Sequence, residues 1–191
     1  QYQSDFDAIT EMHYRNLHIW VKFYLGQTKN IQNTLNDFLL DTEAFNNELI
    51  KAEFLTTMSR ISHFSGNNDA ALEFSDRGLE IVKKYNLHHF ATNLHIIRGF
   101  IYQSVGAIAS SNEEFKLAMD SAGIDNHQLT MNAASIHQAI IEGYSGNTEK
   151  GFRMAKITLN MINHTGNRFL YLQSLFYYYS MCIIADPEHQ Y

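Results

Sequence analysis

Residues 61–82 read ISHFSGNNDAALEFSDRGLEIV, and this stretch decides the fold. Apolar side chains spaced three and four residues apart lead up to Gly66, which is the pattern of one face of a helix. Glycine takes the left-handed conformation at low steric cost, so Gly66 is expected to end that helix. Polar residues 67–69 follow as caps for a second amphipathic helix. The two helices are expected to cross closely at the small residues Ala71 and Gly78.

The same pattern recurs along the chain at a fixed interval. The glycines that stand in register, each 40 residues from the next, are Gly26, Gly66, Gly106 and Gly146. A β-branched apolar residue stands five positions before each of them, and an aromatic residue stands two positions before three of them. A period of this length is the signature of a helical repeat protein. We therefore predict an all-α fold, an α-solenoid of antiparallel helix pairs.

Periodicity and capping signals together place nine helices. Ser111 with Glu114, and Asp125 with Gln128, have the spacing of capping boxes and mark two helix starts. The chain holds one proline, Pro187, which agrees with long helices because proline interrupts them. The expected helices span residues 5–25, 28–41, 44–65, 68–85, 88–105, 111–122, 127–145, 148–163 and 167–185.

The composition excludes several classes of protein. The chain has 191 residues, of which 45% are hydrophobic, as in an ordinary folded protein. Its formal charge of −6 argues against a nucleic-acid-binding surface. A single cysteine, Cys182, excludes an internal disulfide framework and a cysteine-based zinc site. A helix needs about 20 apolar residues to span a membrane. The most apolar run, 169–185, is shorter than this, and polar side chains interrupt it.

No motif for catalysis or for a cofactor is present. The sequence lacks the nucleophile motif GxSxG and the phosphate-binding motifs GxxxxGK[ST] and GxGxxG. His88, His89 and His95 cluster, but no HExxH occurs and no carboxylate lies three or four residues from them. Glu113 and Glu114 are expected at a helix start, where they favour the helix dipole. We therefore expect no enzymatic activity, no metal and no cofactor.

The chain resembles the tetratricopeptide repeat family, whose units have a helix ending at a small residue, a polar turn, then alanine, a large apolar residue and a second small residue. Residues 66–74 with Gly78 and Leu79 give the clearest match. A second match is formed by Gly99, Tyr102, Gly106, Phe115 and Ala118. The resemblance covers nearly the whole chain, although the family's usual period of about 34 residues is 40 here. Longer units of this kind look like those of bacterial sensory regulators.

The resemblance implies a right-handed superhelix that forms one repeat domain over residues 1–191. The expected units span residues 5–43, 44–86, 87–125 and 126–164, with a half unit over 165–191. It implies a non-catalytic module that binds a protein, a peptide or a small ligand. The module is expected to be a fragment of a bacterial signalling protein, ahead of a diguanylate cyclase, kinase or DNA-binding output domain.

The alternative function is a purely structural dimerisation module. Neither a nucleic-acid partner nor membrane insertion is expected. A cytoplasmic location is expected, and a periplasmic one stays open because the chain begins with Gln1 rather than Met, as a trimmed N-terminus would.

In the resembled family, the first helix of each pair lines the binding groove. The resemblance implies that positions three, six, ten and thirteen before each register glycine face it. Aromatic anchors beside arginine and amides suit a groove, because burial supplies affinity and polar groups supply orientation. The alternative for the aromatic residues is packing between neighbouring helices. The expected groove residues are Asn16, Trp20, Phe23, Arg60, His63, Asn93, Phe100 and Gln103.

The last expected helix, 167–185, has no second helix to cover it. Its apolar side chains exceed what one preceding pair can cover, and terminal repeats normally need a polar outer face. We expect this helix to pair with a second copy or to be covered by a downstream domain; the alternative is an ordinary cap that buries itself. The expected self-association residues are Phe169, Leu172, Phe176, Tyr179 and Ile183.

Overall fold

The computed structural model describes residues 2–27, 31–44, 47–124 and 128–185. Within these ranges the fold is all-α and contains no strand. The helices are α1 (Tyr2–Tyr24), α2 (Ile31–Ala44), α3 (Glu48–Phe64), α4 (Asn68–Tyr85), α5 (His88–Ser104), α6 (Ile108–Ile124), α7 (Gln128–Tyr144), α8 (Thr148–Asn163) and α9 (Arg168–Ala185). Each predicted helix is present, and every bound agrees to within four residues. The predicted fold class is confirmed.

The chain divides into two compact units, Gln1–Phe90 and Ala91–Tyr191. In the first unit α1, α2 and α3 pack on one another, and α3 pairs with α4. In the second unit α6, α7, α8 and α9 pack in sequence, and α9 also packs on α7. Adjacent helices therefore pack as a helical repeat requires. The single repeat domain over residues 1–191 stays a prediction.

Each unit has its own hydrophobic core. In the first unit Phe54, Met58 and Ile61 of α3 are buried with apolar residues of α1 and α2. In the second unit one buried cluster forms around Phe115 and another around Ile136. Among the described residues, most of the buried apolar side chains lie on the first helix of a pair.

The register glycines end the first helix of a pair, as predicted. The amide that follows the glycine donates to the carbonyl five residues earlier, as Asn67 N does to Ser62 O at 2.9 Å. This bond satisfies one of the carbonyls that a helix end leaves unpaired. The backbone angle φ is positive at all four positions, at 70, 81, 75 and 88° for Gly26, Gly66, Gly106 and Gly146.

A second register, which the sequence reasoning missed, ends the second helix of a pair. Asn86 follows α4 in the left-handed conformation with φ 57°, and Gly166 follows α8 with φ 72°. Asparagine tolerates this conformation better than most residues. Asn46 and Asn126 occupy the equivalent sequence positions and lie outside the described residues. A glycine or asparagine every 20 positions was therefore a readable signal.

The pairs α3–α4, α5–α6 and α7–α8 cross at small buried residues. Ser59 of α3 donates its hydroxyl to the Ala71 carbonyl of α4 at 2.8 Å. One period later the direction is reversed, because Ser111 of α6 donates to the Gly99 carbonyl of α5 at 2.8 Å. Ala139 and Gly151 occupy the crossing positions of the third pair. The predicted small residue at the crossing is confirmed at Ala71, and Gly78 is buried as well.

The predicted capping box at Ser111 and Glu114 is wrong. Helix α6 begins at Ile108, so Ser111 lies one turn inside the helix. Its hydroxyl donates a hydrogen bond to the buried carbonyl of Gly99 at the helix crossing instead. Asp125, the expected cap of α7, lies outside the described residues.

Gly99→Ala is expected to lower the free energy of unfolding by about 1–3 kcal/mol, because an added methyl group overpacks a filled core. A Cβ at Gly99 would lie 2.8 Å from two ring carbons of Phe115, which is fully buried. The control is Gly123→Ala in α6, where a Cβ meets no described atom outside the helix's own backbone within 4 Å. That change should be neutral or stabilising. Urea unfolding of both variants tests this, and equal losses would contradict it.

Candidate functional site

The packing of α1 against α3 places Trp20 beside Arg60. The indole Nε1 of Trp20 donates to Thr57 Oγ1 at 3.2 Å, which fixes the ring on α3. The guanidinium carbon of Arg60 then lies 5.6 Å from the centre of the Trp20 ring, within cation–π range. Both side chains are half-buried. The structure therefore brings together two of the predicted groove residues.

Three further aromatic rings extend this surface. Phe23 meets Trp20 edge-to-face at 6.3 Å and stacks on Phe64 at 5.9 Å. Tyr24 stacks on Trp20 at 5.7 Å between ring centres. Tyr24 and Phe64 are exposed, whereas Trp20 and Phe23 are half-buried. We call the following set the aromatic face: Trp20, Phe23, Tyr24, Arg60 and Phe64.

Only part of the aromatic face was predictable from the sequence. Tyr24 and Phe64 are two of the aromatic residues that stand two positions before a register glycine, and the apolar spacing that leads up to Gly66 predicted Phe64 on a buried face. Phe64 is exposed instead, because it lies in the last turn of α3 and stacks on Phe23. The aromatic residues two positions before the register glycines were therefore the signal for this surface.

Polar groups continue the α1–α3 contact beyond the aromatic face. Asn16 donates its amide to Glu53 Oε1 at 2.7 Å, and His13 Nδ1 lies 2.9 Å from Glu53 Oε2. Asn16 is buried, and its carbonyl oxygen has no hydrogen-bond partner among the described residues. Glu53 thus joins the predicted groove residue Asn16 to α3.

Arg60 places a positive charge in a largely desolvated position. Burial lowers the pKa of Arg60, and the nearby Tyr24 acts in the opposite direction. Arginine nevertheless stays protonated in proteins, so the charge persists beside the aromatic rings. His63, one turn later, hydrogen-bonds Asn68 Oδ1 at 2.9 Å and lies 5.6 Å from the Phe64 ring. Trp20, Phe23, Arg60 and, through Phe64, His63 therefore form one connected set, whereas Asn16 contacts Glu53.

The remaining predicted groove residues lie on α5 in the second unit. Asn93, Phe100 and Gln103 are half-buried, and their spacing places them on one side of the helix. The Phe100 ring packs 5.6 Å from Phe115 and 4.4 Å from His137. Phe100 thus contributes to the core of the second unit, which was the alternative considered for the aromatic residues.

Glu114 forms an ion-pair cluster that the sequence reasoning did not find. His95 Nδ1 lies 2.7 Å from one carboxylate oxygen, and Arg98 Nε donates to the other at 2.7 Å. Burial acts to raise the pKa of Glu114, but the hydrogen bonds and charges of His95 and Arg98 outweigh it and lower that pKa. The expectation that Glu114 stands at a helix start is wrong, because α6 begins six residues earlier at Ile108.

A buried histidine lies at the centre of the second unit. The ring of His137 lies 4.4 Å from Phe100, 5.4 Å from Phe115 and 4.9 Å from Tyr177. Burial among these rings lowers the pKa of His137 to about 3. The imidazole is therefore neutral at physiological pH and serves as a core aromatic.

The histidine cluster on α5 does not assemble ligands around a metal. His95 pairs with Glu114, and His88 and His89 stand at the helix start. Across the described ranges, no group of three or more His, Cys, Asp or Glu residues is arranged to hold a metal ion.

The predicted self-association residues lie on α9. The exposed fractions are 63, 69, 56 and 62% for Leu172, Phe176, Tyr179 and Ile183. The side chain of Phe169 lies outside the described part of the structure. The four described residues form an apolar row along one side of α9, which we call the α9 stripe.

No protein-family model matches the chain, and no curated protein matches it. The resemblance to tetratricopeptide repeats therefore stays a prediction. None of the helices in the described ranges is both long enough and apolar enough to cross a bilayer.

Proposed function

We propose that the chain is a non-catalytic binding module that holds a protein or peptide segment on the aromatic face. The observation that carries this proposal is the desolvated guanidinium of Arg60 over Trp20, beside the exposed rings of Tyr24 and Phe64. Arginine and aromatic residues are the side chains that most often supply binding energy at protein interfaces. A pure core cluster would not need a charge within it.

The chemistry of the face defines the segment that it fits. Arg60 offers hydrogen-bond donors to a carboxylate or amide oxygen. Tyr24 and Phe64 offer exposed ring surface for an aromatic or large apolar side chain. The segment should therefore carry an apolar anchor next to a residue with a side-chain oxygen.

The wider role follows from the resemblance alone. A tetratricopeptide-like module in a bacterial signalling protein would transmit occupancy of this face to an attached output domain. A small ligand of the same chemistry would use the same face. Dimerisation alone is the second candidate function, which the exposure of the α9 stripe favours.

A peptide array tests the binding proposal. The peptides place a Phe, Tyr or Leu three or four positions from an Asp or Glu, and scrambled or acid-free versions serve as references. Wild type is expected to bind the paired peptides, and Arg60→Gln to lose most of that binding.

The matched control is Lys84→Gln, which removes a cation–π contact to Tyr85 on α4, outside the aromatic face. This variant should bind as wild type does. Binding that is indifferent to Arg60→Gln, or no binding above the scrambled peptides, would contradict the proposal. Circular dichroism of each variant confirms that the helices are retained.

A further inference from the structure

Helix α3 is buried along most of its length, and two charged residues interrupt this burial. From residue 52 to residue 62 every residue is buried except Glu53 and Arg60, which are half-buried. They stand seven positions apart, which places them on the same side of the helix. A rise of about 1.5 Å per residue separates them by about 10.5 Å along the helix axis. Over this stretch α3 therefore offers a partner one negative and one positive charge.

Side chains of α1 join these two charges into one surface within the first unit. At one end His13 Nδ1 lies 2.9 Å from Glu53 Oε2, and Asn16 donates to Glu53 Oε1 at 2.7 Å. At the other end the Trp20 ring centre lies 5.6 Å from the guanidinium carbon of Arg60. Glu53 therefore lies on the continuation of the aromatic face, about two helical turns before Arg60.

The two charges are too far apart to neutralise each other. An ion pair needs its nitrogen and oxygen within about 4 Å, well below the about 10.5 Å between these positions. Each carboxylate oxygen of Glu53 has one partner here, whereas a carboxylate has about four lone-pair sites for hydrogen bonds. The Glu53 side chain is 28% exposed, so a donor from a bound segment can reach it.

We propose that the segment bound on the aromatic face also carries a lysine or arginine, which pairs with Glu53 about three residues away from the acidic residue that pairs with Arg60. An extended chain rises about 3.3 Å per residue, so three residues cover about 10 Å. A single amino acid is too short to reach both charges, which favours a peptide over a small ligand. This inference rests on the proposed function and adds a second charged contact to it.

Lysine scanning of an array-selected peptide tests this contact. Each position is replaced in turn by lysine, and by glutamine as the neutral reference. For wild type, lysine is expected to strengthen binding about two- to five-fold over glutamine at about three residues from the acid, and at no other position. Partly exposed ion pairs contribute this much because solvent screens them.

Two variants of Glu53 separate a charged contact from a structural role. Glu53→Gln keeps the shape of the side chain and an acceptor for Asn16, and it should abolish the preference for lysine while acid-dependent binding persists. Glu53→Lys should reverse the preference, so that glutamate at the same peptide position binds better than lysine. A residue that only holds α1 on α3 would give no such reversal. Circular dichroism confirms that both variants keep their helices.

The matched control is Glu48→Gln. Glu48 lies on the same helix with the same exposed fraction of 28%, pairs with Lys51 at 3.0 Å, and stands five positions before Glu53, on a different side of α3. This variant should keep the wild-type preference for lysine.

Two results would overturn this inference alone, with acid-dependent binding still in place. One is equal binding of the lysine and glutamine peptides to wild type, and the other is a lysine preference that survives Glu53→Gln. A lack of binding by every peptide would overturn both this inference and the proposed function.

Discussion

Acidification from about pH 7.5 to about 5 is expected to lower the free energy of unfolding by about 2 kcal/mol through His137 alone. The pKa of His137 is about 3 in the folded chain, against 6.5 for an unperturbed histidine. Below pH 6.5 His137 binds a proton in the unfolded chain but stays neutral in the folded chain. The contribution of His137 to stability is therefore full above pH 6.5 and falls steadily as the pH drops toward 3.

His137→Gln should remove this part of the pH dependence, because glutamine does not titrate. Urea unfolding at several pH values between 5 and 7.5 measures the slope in wild type and variant. The control is His164→Gln, at an exposed histidine that follows α8, which should keep the wild-type slope. The lowered pKa of Glu114 acts below the ordinary carboxyl range and so leaves this window undisturbed. A variant slope equal to that of wild type would contradict the assignment.

Glu114→Gln is expected to cost about 3–5 kcal/mol of stability, because removing one member of a buried ion pair leaves an uncompensated charge. Arg98 and His95 both meet this carboxylate at 2.7 Å, and the side chains of Arg98 and Glu114 are only 15% and 11% exposed. Glu113→Gln is the matched control, since Glu113 is the exposed neighbour on the same helix. Its effect should stay within about 0.5 kcal/mol.

A double-mutant cycle separates the ion pair from the packing around it. Arg98→Leu removes the charge that Glu114→Gln leaves behind, so the double variant should be more stable than the sum of the two single losses predicts. Urea unfolding of the four proteins gives the coupling energy. A strictly additive cycle would show that Glu114 acts through packing alone.

The helix pattern was predictable because its signals are local. Apolar spacing, the register glycines and the polar turns each act within one or two helical turns, and they placed every helix. The small residues at the crossing of α3 and α4 were also readable, since only small side chains allow the approach seen between Ser59 and Ala71.

The contacts between helices were less predictable, because nothing in the local sequence states which helix faces which. Glu114 lies nineteen residues from His95, so no spacing rule connects them. Ser111 has the spacing of a cap, yet its hydroxyl donates a hydrogen bond to a carbonyl on the neighbouring helix. Trp20 and Arg60 were predicted together because the repeat register relates α1 to α3. Phe100 packs in the core instead of lining a groove, because its ring contacts Phe115, which fills the space beside Gly99.

The indole N–H of Trp20 offers the most direct test of the aromatic face as a ligand site. The chain has one tryptophan, so a proton–nitrogen correlation spectrum shows one indole cross-peak. Titration with an array-selected peptide should shift this cross-peak along a saturable curve, and Arg60→Gln should weaken that curve. A peptide that shifts other resonances of the protein while the Trp20 cross-peak stays in place would contradict the site.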